Sequence, residues 1–137
     1  MKNVQIIKAG GRTIAVIVKN KFSIPGMTFF VPEDSPQQLA FVAHEKGKVI
    51  QPHVHNKFKR IIHYTQEIDI IKKGKIKVDL YTPAGKYIKS VVLGRGDIIM
   101  FYSGGHGYRV IENLELILVK QGPYAGEKDK THFVRNG

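Results

Sequence analysis

Two histidines stand two residues apart, His53 and His55, and a third, His106, lies in the run Ser103-Gly104-Gly105-His106-Gly107. In an extended strand residues i and i+2 point to the same face. The first two imidazoles can therefore aim at one point, and a closed barrel could bring His106 to it. Imidazole is the commonest metal ligand, and three suit a divalent transition ion such as Zn, Mn, Fe or Ni. The chain has no cysteine. That removes disulfides, thiolate ligands and cysteine nucleophiles, so an ion must be held by histidine, carboxylate or water. No serine sits in a nucleophile elbow, and no phosphate loop or dinucleotide fingerprint appears.

The elements that must position these histidines read as strands. Apolar residues recur with period 2 almost everywhere. Strands are expected at 4–8 and 13–18, joined at Gly10-Gly11, with a short one at 28–30 inside a proline-bearing loop. Further strands follow at 39–44, 48–55, 68–71, 75–81, 87–93, 98–102, 108–111 and 114–120. The segments Lys72-Lys73-Gly74, Thr82-Pro83-Ala84-Gly85 and Gly94-Arg95-Gly96-Asp97 carry the residues of turns. No convincing helix, repeat or low-complexity stretch appears. About ten short strands with regular turn signals imply an all-β sandwich or small barrel.

At 137 residues and 42% hydrophobic, the chain suits one domain with a real core. No apolar run reaches the length of a transmembrane helix. The start, Met1-Lys2-Asn3-Val4-Gln5, lacks the features of a secretory signal, so a cytoplasmic protein is expected. The net charge is +11, but the lysines are spread along strands rather than clustered with aromatics. This distribution disfavours nucleic acid. It fits a solvated basic surface, or a field that draws in an anionic small molecule.

The spacing of Gly47, His53 and His55, then of Glu67 and Gly74, resembles the first motif of the cupin superfamily. Gly96-Asp97 through His106 resembles the second. The runs Thr65-Gln66-Glu67, Gly74-Lys75, Ser103 to Gly107 and Val119-Lys120-Gln121-Gly122-Pro123-Tyr124 look like those of small single-domain cupins of uncertain activity. The resemblance implies a jelly-roll β-barrel over residues 1–137. Its core would span about 39–121, with N-terminal strands at 4–31 packed on it and a turn-rich tail at 122–137. It also implies one divalent metal held by His53, His55, Glu67 and His106, and a homodimer. The apolar strand 13–18 is a candidate for the dimer contact or for plain core. The chain departs from the pattern in the eleven residues between His55 and Glu67, where three or four are usual. This reads as an enlarged loop at 56–64. A second register pairs His63 with Glu67 but leaves Ile61 where a ligand belongs.

If Glu67 faces inward, Asp69 and Ile71 do too, and two carboxylates enter a barrel where bare charge is costly. Asp69 would then be an acid, a base or an extra ligand. The other possibility packs Ile68 and Ile70 in the core and leaves Glu67 on the surface. His63 is a rim residue or a substrate contact. Arg60 sits in the enlarged loop, where its guanidinium could grip phosphate or carboxylate. Tyr64 and Tyr108 could line a pocket.

The function classes implied are three. One is a metal-dependent enzyme on a small oxygen-rich substrate, such as a sugar or sugar nucleotide isomerase or epimerase, with Glu67, Asp69 or His63 moving the proton. The second is a non-catalytic metal or small-ligand binding module. The third is a metal-dependent dioxygenase.

Overall fold

The computed structural model of the protein describes residues 1–134. Eight strands run β1 (Val4–Ala9), β2 (Arg12–Val18), β3 (Gly26–Phe29), β4 (Ala40–Ala43), β5 (Glu67–Tyr81), β6 (Tyr87–Gly94), β7 (Ile98–Phe101) and β8 (Gly105–Lys120). A single 3-10 turn spans Gly126–Asp129. The chain forms two compact units, Met1–Phe22 with Tyr64 onward, and Ser23–His63.

The first unit is a six-stranded antiparallel sheet, ordered β1-β2-β7-β5-β6, with β8 on the other edge of β5. The sheet is strongly curled into a half-barrel. The strand β5 is its axis. One edge of β5 pairs with β7 at Glu67 to Ile70 and with β6 at Lys75 to Tyr81. Its other edge pairs with β8 along its whole length. The register with β8 shifts three times, between Ile71 and Ile76. Extra residues in one partner of a ladder bend it and increase its twist.

Gly74 lies at the centre of these shifts with φ +85°, and a Cβ there would overlap the backbone carbonyl of Asn113. Only glycine combines that backbone with that approach. The expected turn at 72–74 is therefore a bulge inside one continuous strand. Both arms of β5 pair with the same neighbour, so the chain bends but does not reverse. For the same reason the two strands expected at 108–111 and 114–120 are one strand, β8.

The core lies on the concave side and is built from Ile7, Ile14, Ala15, Ile17, Ile71, Ile76, Val78, Leu80, Leu93, Ile99 and Phe101. Residues 14–18 are all buried within this chain. Of the two roles expected for the strand at 13–18, core is the one it fills. Among the described residues β8 pairs with β5 alone, as β1 does with β2 and β6 with β5, and it exposes Val110, Ile111, Ile117 and Val119.

A latch closes the join between β6, β7 and β5. Ile71 donates its N–H to the Asp97 carbonyl at 3.0 Å and accepts from the Gly96 N–H at 2.8 Å. The buried Asp97 carboxylate accepts from the Gly94 N–H at 2.9 Å, the Asn20 N–H at 2.9 Å and the Lys19 ammonium at 2.5 Å. Burial alone would raise this carboxyl. The Gly94 bond, the Lys19 bond and charge, and the Asn20 bond outweigh it and hold it below the ordinary carboxylate range.

The second unit contains the antiparallel hairpin β3–β4, with Gly26 opposite Ala43 and Phe29 opposite Ala40. The Gln38 side-chain amide ties its loop by donating to the carbonyls of Pro32, Glu33 and Ser35. A turn follows, where Lys48 N–H donates to the Glu45 carbonyl at 3.2 Å. The strand expected at 48–55 is absent: these residues are exposed and pair with no strand among those described. Pro52 cannot donate to a ladder, and an extended segment without a neighbouring ladder does not register as a strand.

Replacing Gly74 with alanine is expected to destabilise the protein by roughly 2–4 kcal/mol, through positive-φ strain and the overlap with Asn113. Urea unfolding followed by far-UV circular dichroism measures this. An unchanged midpoint would mean that the bend does not depend on glycine.

Candidate functional site

Pairing across three strands decides which way the acids of β5 point. Residues opposite each other in an antiparallel ladder share a face. Ala15, Phe101 and Glu67 form one such row, and Ile17, Ile99 and Asp69 the next. Ala15, Ile17, Ile99 and Phe101 are all core residues, so Glu67 and Asp69 face the concave side with Ile71. Ile68 falls in the opposite row with Val16 and Met100. Asp69 is 1% exposed.

The curl then delivers partners from β8. Tyr108 pairs with Val78 and His106 with Leu80. Along a straight strand Val78 would lie about 30 Å from Asp69. Yet the Tyr108 hydroxyl lies within hydrogen-bonding distance of both carboxylates, 3.1 Å from Glu67 Oε1 and closer still to Asp69 Oδ2. His106 Nε2 lies 3.8 Å from Glu67 Oε1. The sharp turn into β8 helps to bring this about: Gly104, at φ +75°, packs where a Cβ would overlap the Tyr81 carbonyl. Phe101 stacks on the His106 ring at 3.7 Å between centroids and 14° between planes, which fixes the imidazole plane.

The four polar side chains have distinct electrostatics. Burial pushes the Asp69 carboxyl up to about 6, with the Tyr108 hydrogen bond opposing it and the Glu67 charge adding to it. Asp69 Oδ1 is buried and has no hydrogen-bond partner among the described residues. Burial lowers the His106 pKa, Glu67 opposes this and Lys130 assists it. The ring is therefore a neutral imidazole at neutral pH. Burial raises the Tyr108 phenol, reinforced by its bond to Asp69 and the nearby acids, so it remains a proton donor. The cluster thus holds a neutral imidazole, a phenol donor, and a carboxyl that changes protonation close to neutrality with one oxygen uncommitted.

The remaining residues singled out in the sequence belong elsewhere. His53 and His55 lie in the second unit, exposed, with ring centroids 5.3 Å apart. The His53 Nδ1 is 3.0 Å from the Gln51 carbonyl. His63 and Arg60 are exposed in the same unit. Arg60 lies over the Phe58 ring at 5.1 Å and donates to the Phe58 carbonyl at 3.3 Å. Tyr64 is 83% exposed. Among the described residues no group of three or more His, Asp or Glu side chains is placed to hold a metal ion. Glu67 with neutral His106, and His53 with His55, are two pairs of suitable donor chemistry.

Sequence reasoning missed the stacking of Phe101 on His106 and the sharing of Tyr108 by two acids. A signal for the second was present: His106 and Tyr108 alternate like Glu67 and Asp69, so each pair occupies one face of its strand. Searches against protein-family models, curated proteins and solved structures find no match to this chain. No helix among the described residues is long and apolar enough to cross a membrane.

Substituting Tyr108 with phenylalanine removes the hydrogen bond that favours ionised Asp69. Its titration midpoint is then expected to rise above the wild-type value of about 6. Because the folded value exceeds the ordinary 3.8, the folded state binds this proton more tightly than the unfolded chain. The contribution of Asp69 to stability is thus fully present below about pH 3.8 and is lost as pH rises through 6. In the variant the loss should move to higher pH. Carbon-detected NMR of the Asp69 carboxyl measures the midpoint, and one that stayed or fell would contradict the assigned hydrogen bond.

Proposed function

We propose that this chain is a metal-binding enzyme of the cupin type, a jelly-roll barrel that isomerises or epimerises a small oxygen-rich substrate such as a sugar or sugar nucleotide. The observation that carries the reading is the inward pair Glu67 and Asp69 bridged by Tyr108 beside neutral His106. A carboxyl with a pKa about 6 suits general acid–base catalysis, because it can both take and return a proton at neutral pH.

In this reading Asp69, as carboxylate, takes a proton from carbon next to a substrate carbonyl. The electron pair left behind delocalises into that carbonyl as an enolate. The proton on the carboxyl exchanges with solvent, and a proton then returns to the opposite face of the same carbon or, once the neighbouring hydroxyl has passed its proton to the former carbonyl oxygen, to the former carbonyl carbon; Asp69 is again a carboxylate. Tyr108 holds the carboxylate in place and shares its hydrogen bond between the two acids. The metal, one of Zn, Mn, Fe or Ni, would be held by Glu67 and His106, the two donors of suitable chemistry in this cluster. When bound it would polarise substrate oxygens and lower the cost of the enolate. Tyr64 is proposed as a substrate contact.

Elemental mass spectrometry of purified protein tests the metal. About one ion per chain, lost in His106→Ala, is the expected result. No ion after supply of all four metals would overturn the metal assignment. Proton NMR of candidate sugars in deuterium oxide tests the chemistry: C–H exchange with solvent should fall by about 100-fold or more in Asp69→Asn. Metal binding without exchange on any substrate would favour a binding module, and oxygen consumption a dioxygenase.

Two copies are proposed to pair along the open edge of β8, whose exposed apolar side chains and unpaired edge suit strand addition. Sedimentation velocity should give a dimer for the wild type and a monomer for Ile117→Lys. A monomeric wild type would overturn the pairing.

A further inference from the structure

A stretch of the second unit carries charge of one sign only. From Lys46 to Gln66 there is no aspartate or glutamate, but there are four lysines and one arginine: Lys46, Lys48, Lys57, Lys59 and Arg60. Every residue from His44 to His63 is exposed. Among the described residues none of these five cations is in an ion pair.

The same stretch holds Val49, Ile50, Val54, Phe58 and Ile61, each between 64% and 84% exposed. Residues 49–63 belong to no strand. Their side-chain hydrogen bonds are local, from His53 to the Gln51 carbonyl and from Arg60 to the Phe58 carbonyl. Neither a ladder nor a core covers these apolar groups. Single exposed apolar residues are ordinary, but a run of them points to a surface that something else covers. Each of the five lies within three residues of a lysine or arginine, so whatever covers them must also accept positive charge.

We propose that residues 46–62 are a peripheral membrane anchor, which docks on the surface of a bilayer containing anionic lipid. Lysine and arginine place their charged ends among the headgroups, while their stems and the neighbouring apolar side chains enter the acyl boundary. The lack of any carboxylate fits this partner, because the negative potential of an anionic leaflet attracts basic segments and repels acids. Single-stranded nucleic acid, another polyanion, is held by bases stacking on aromatic rings. This stretch offers one phenyl ring, and Arg60 already lies over it at 5.1 Å. Its four exposed aliphatic side chains match an acyl boundary and not a base or a phosphate. The anchor makes no use of the Glu67–Asp69–Tyr108 cluster, so it stands or falls apart from the enzymatic reading.

The test floats the full chain with vesicles of phosphatidylcholine alone, or of roughly three parts phosphatidylcholine to one part phosphatidylserine. Wild-type protein is expected to bind the mixed vesicles at least about tenfold more strongly than the neutral ones. Lys57→Gln/Lys59→Gln/Arg60→Gln should weaken that binding by about tenfold or more. Val54→Ser/Ile61→Ser should weaken it by about threefold or more. As a control, Lys72→Gln/Lys73→Gln/Arg95→Gln removes three exposed cations of the sheet and should change it by less than about twofold. The chain has no tryptophan, so Phe58→Trp supplies the sole indole, whose emission should move to shorter wavelength on the mixed vesicles as the ring leaves water. All these side chains are exposed or lie in the exposed stretch, so the variants should fold. No binding of wild-type protein to the mixed vesicles would overturn the proposal. Equal losses in the two charge variants, or an unshifted indole, would overturn it too, since net charge alone would then account for the adsorption. Binding of a single-stranded oligouridine without vesicle binding would assign the stretch to nucleic acid and likewise overturn it.

Discussion

The long strand β5 has to serve two parts of one curled sheet, and everything at the candidate site follows from how it bends. Its first four residues pair with β7, its last seven with β6, and all of it with β8. A straight ladder of that length would leave its two ends far apart, with the acids at one end and the partners of His106 and Tyr108 at the other. The shifts around Gly74 bring the ends together. The bend is a backbone device, held by one left-handed glycine against the Asn113 carbonyl and by the Asp97 latch at the neighbouring join.

Closing the sheet also sets the electrostatics. Asp69 enters a row lined by Ile17 and Ile99, so water cannot solvate its charge and its proton is held more tightly. Tyr108 opposes this by donating to it, and Glu67 reinforces it by repulsion. Asp97 shows the opposite balance in the same sheet. It is also buried, but two backbone amides and an ammonium compensate, and its charge is retained. Both aspartates are buried, and they differ in the donors and charges that surround them. That difference separates a structural carboxylate from one able to exchange protons near neutrality.

Much of this was legible beforehand. Period-2 alternation located the strands, because a sheet with one buried face imposes that period on its side chains. His106 was singled out by residue type and its glycine-rich turn, Glu67 by the resemblance to the cupin motif, and Asp69 by sharing the face of Glu67. Less was legible where a local signal has two outcomes. Lys72-Lys73-Gly74 carries the composition of a hairpin turn, and glycine at positive φ serves a bulge equally well. Which one forms depends on whether the arms pair with each other or with a third strand. The segment 48–55 alternates like a strand, but a strand also needs a neighbour to bond to.

By itself, the sequence determined the all-β class, the grouping of Glu67, Asp69 and Ile71 on one face, and the lack of any thiol chemistry. Those are properties of residue type and of short-range geometry, which the chain carries wherever it goes. Tertiary structure alone decided which way that face turns, that Tyr108 bridges the two acids, and that Phe101 clamps His106. Tyr108 and Asp69 are 39 residues apart, and their meeting depends on the register of β5 with β8 and on the curl of the sheet. Neither is written in any local stretch, because both arise from the summed pairing and packing of strands distant in the chain.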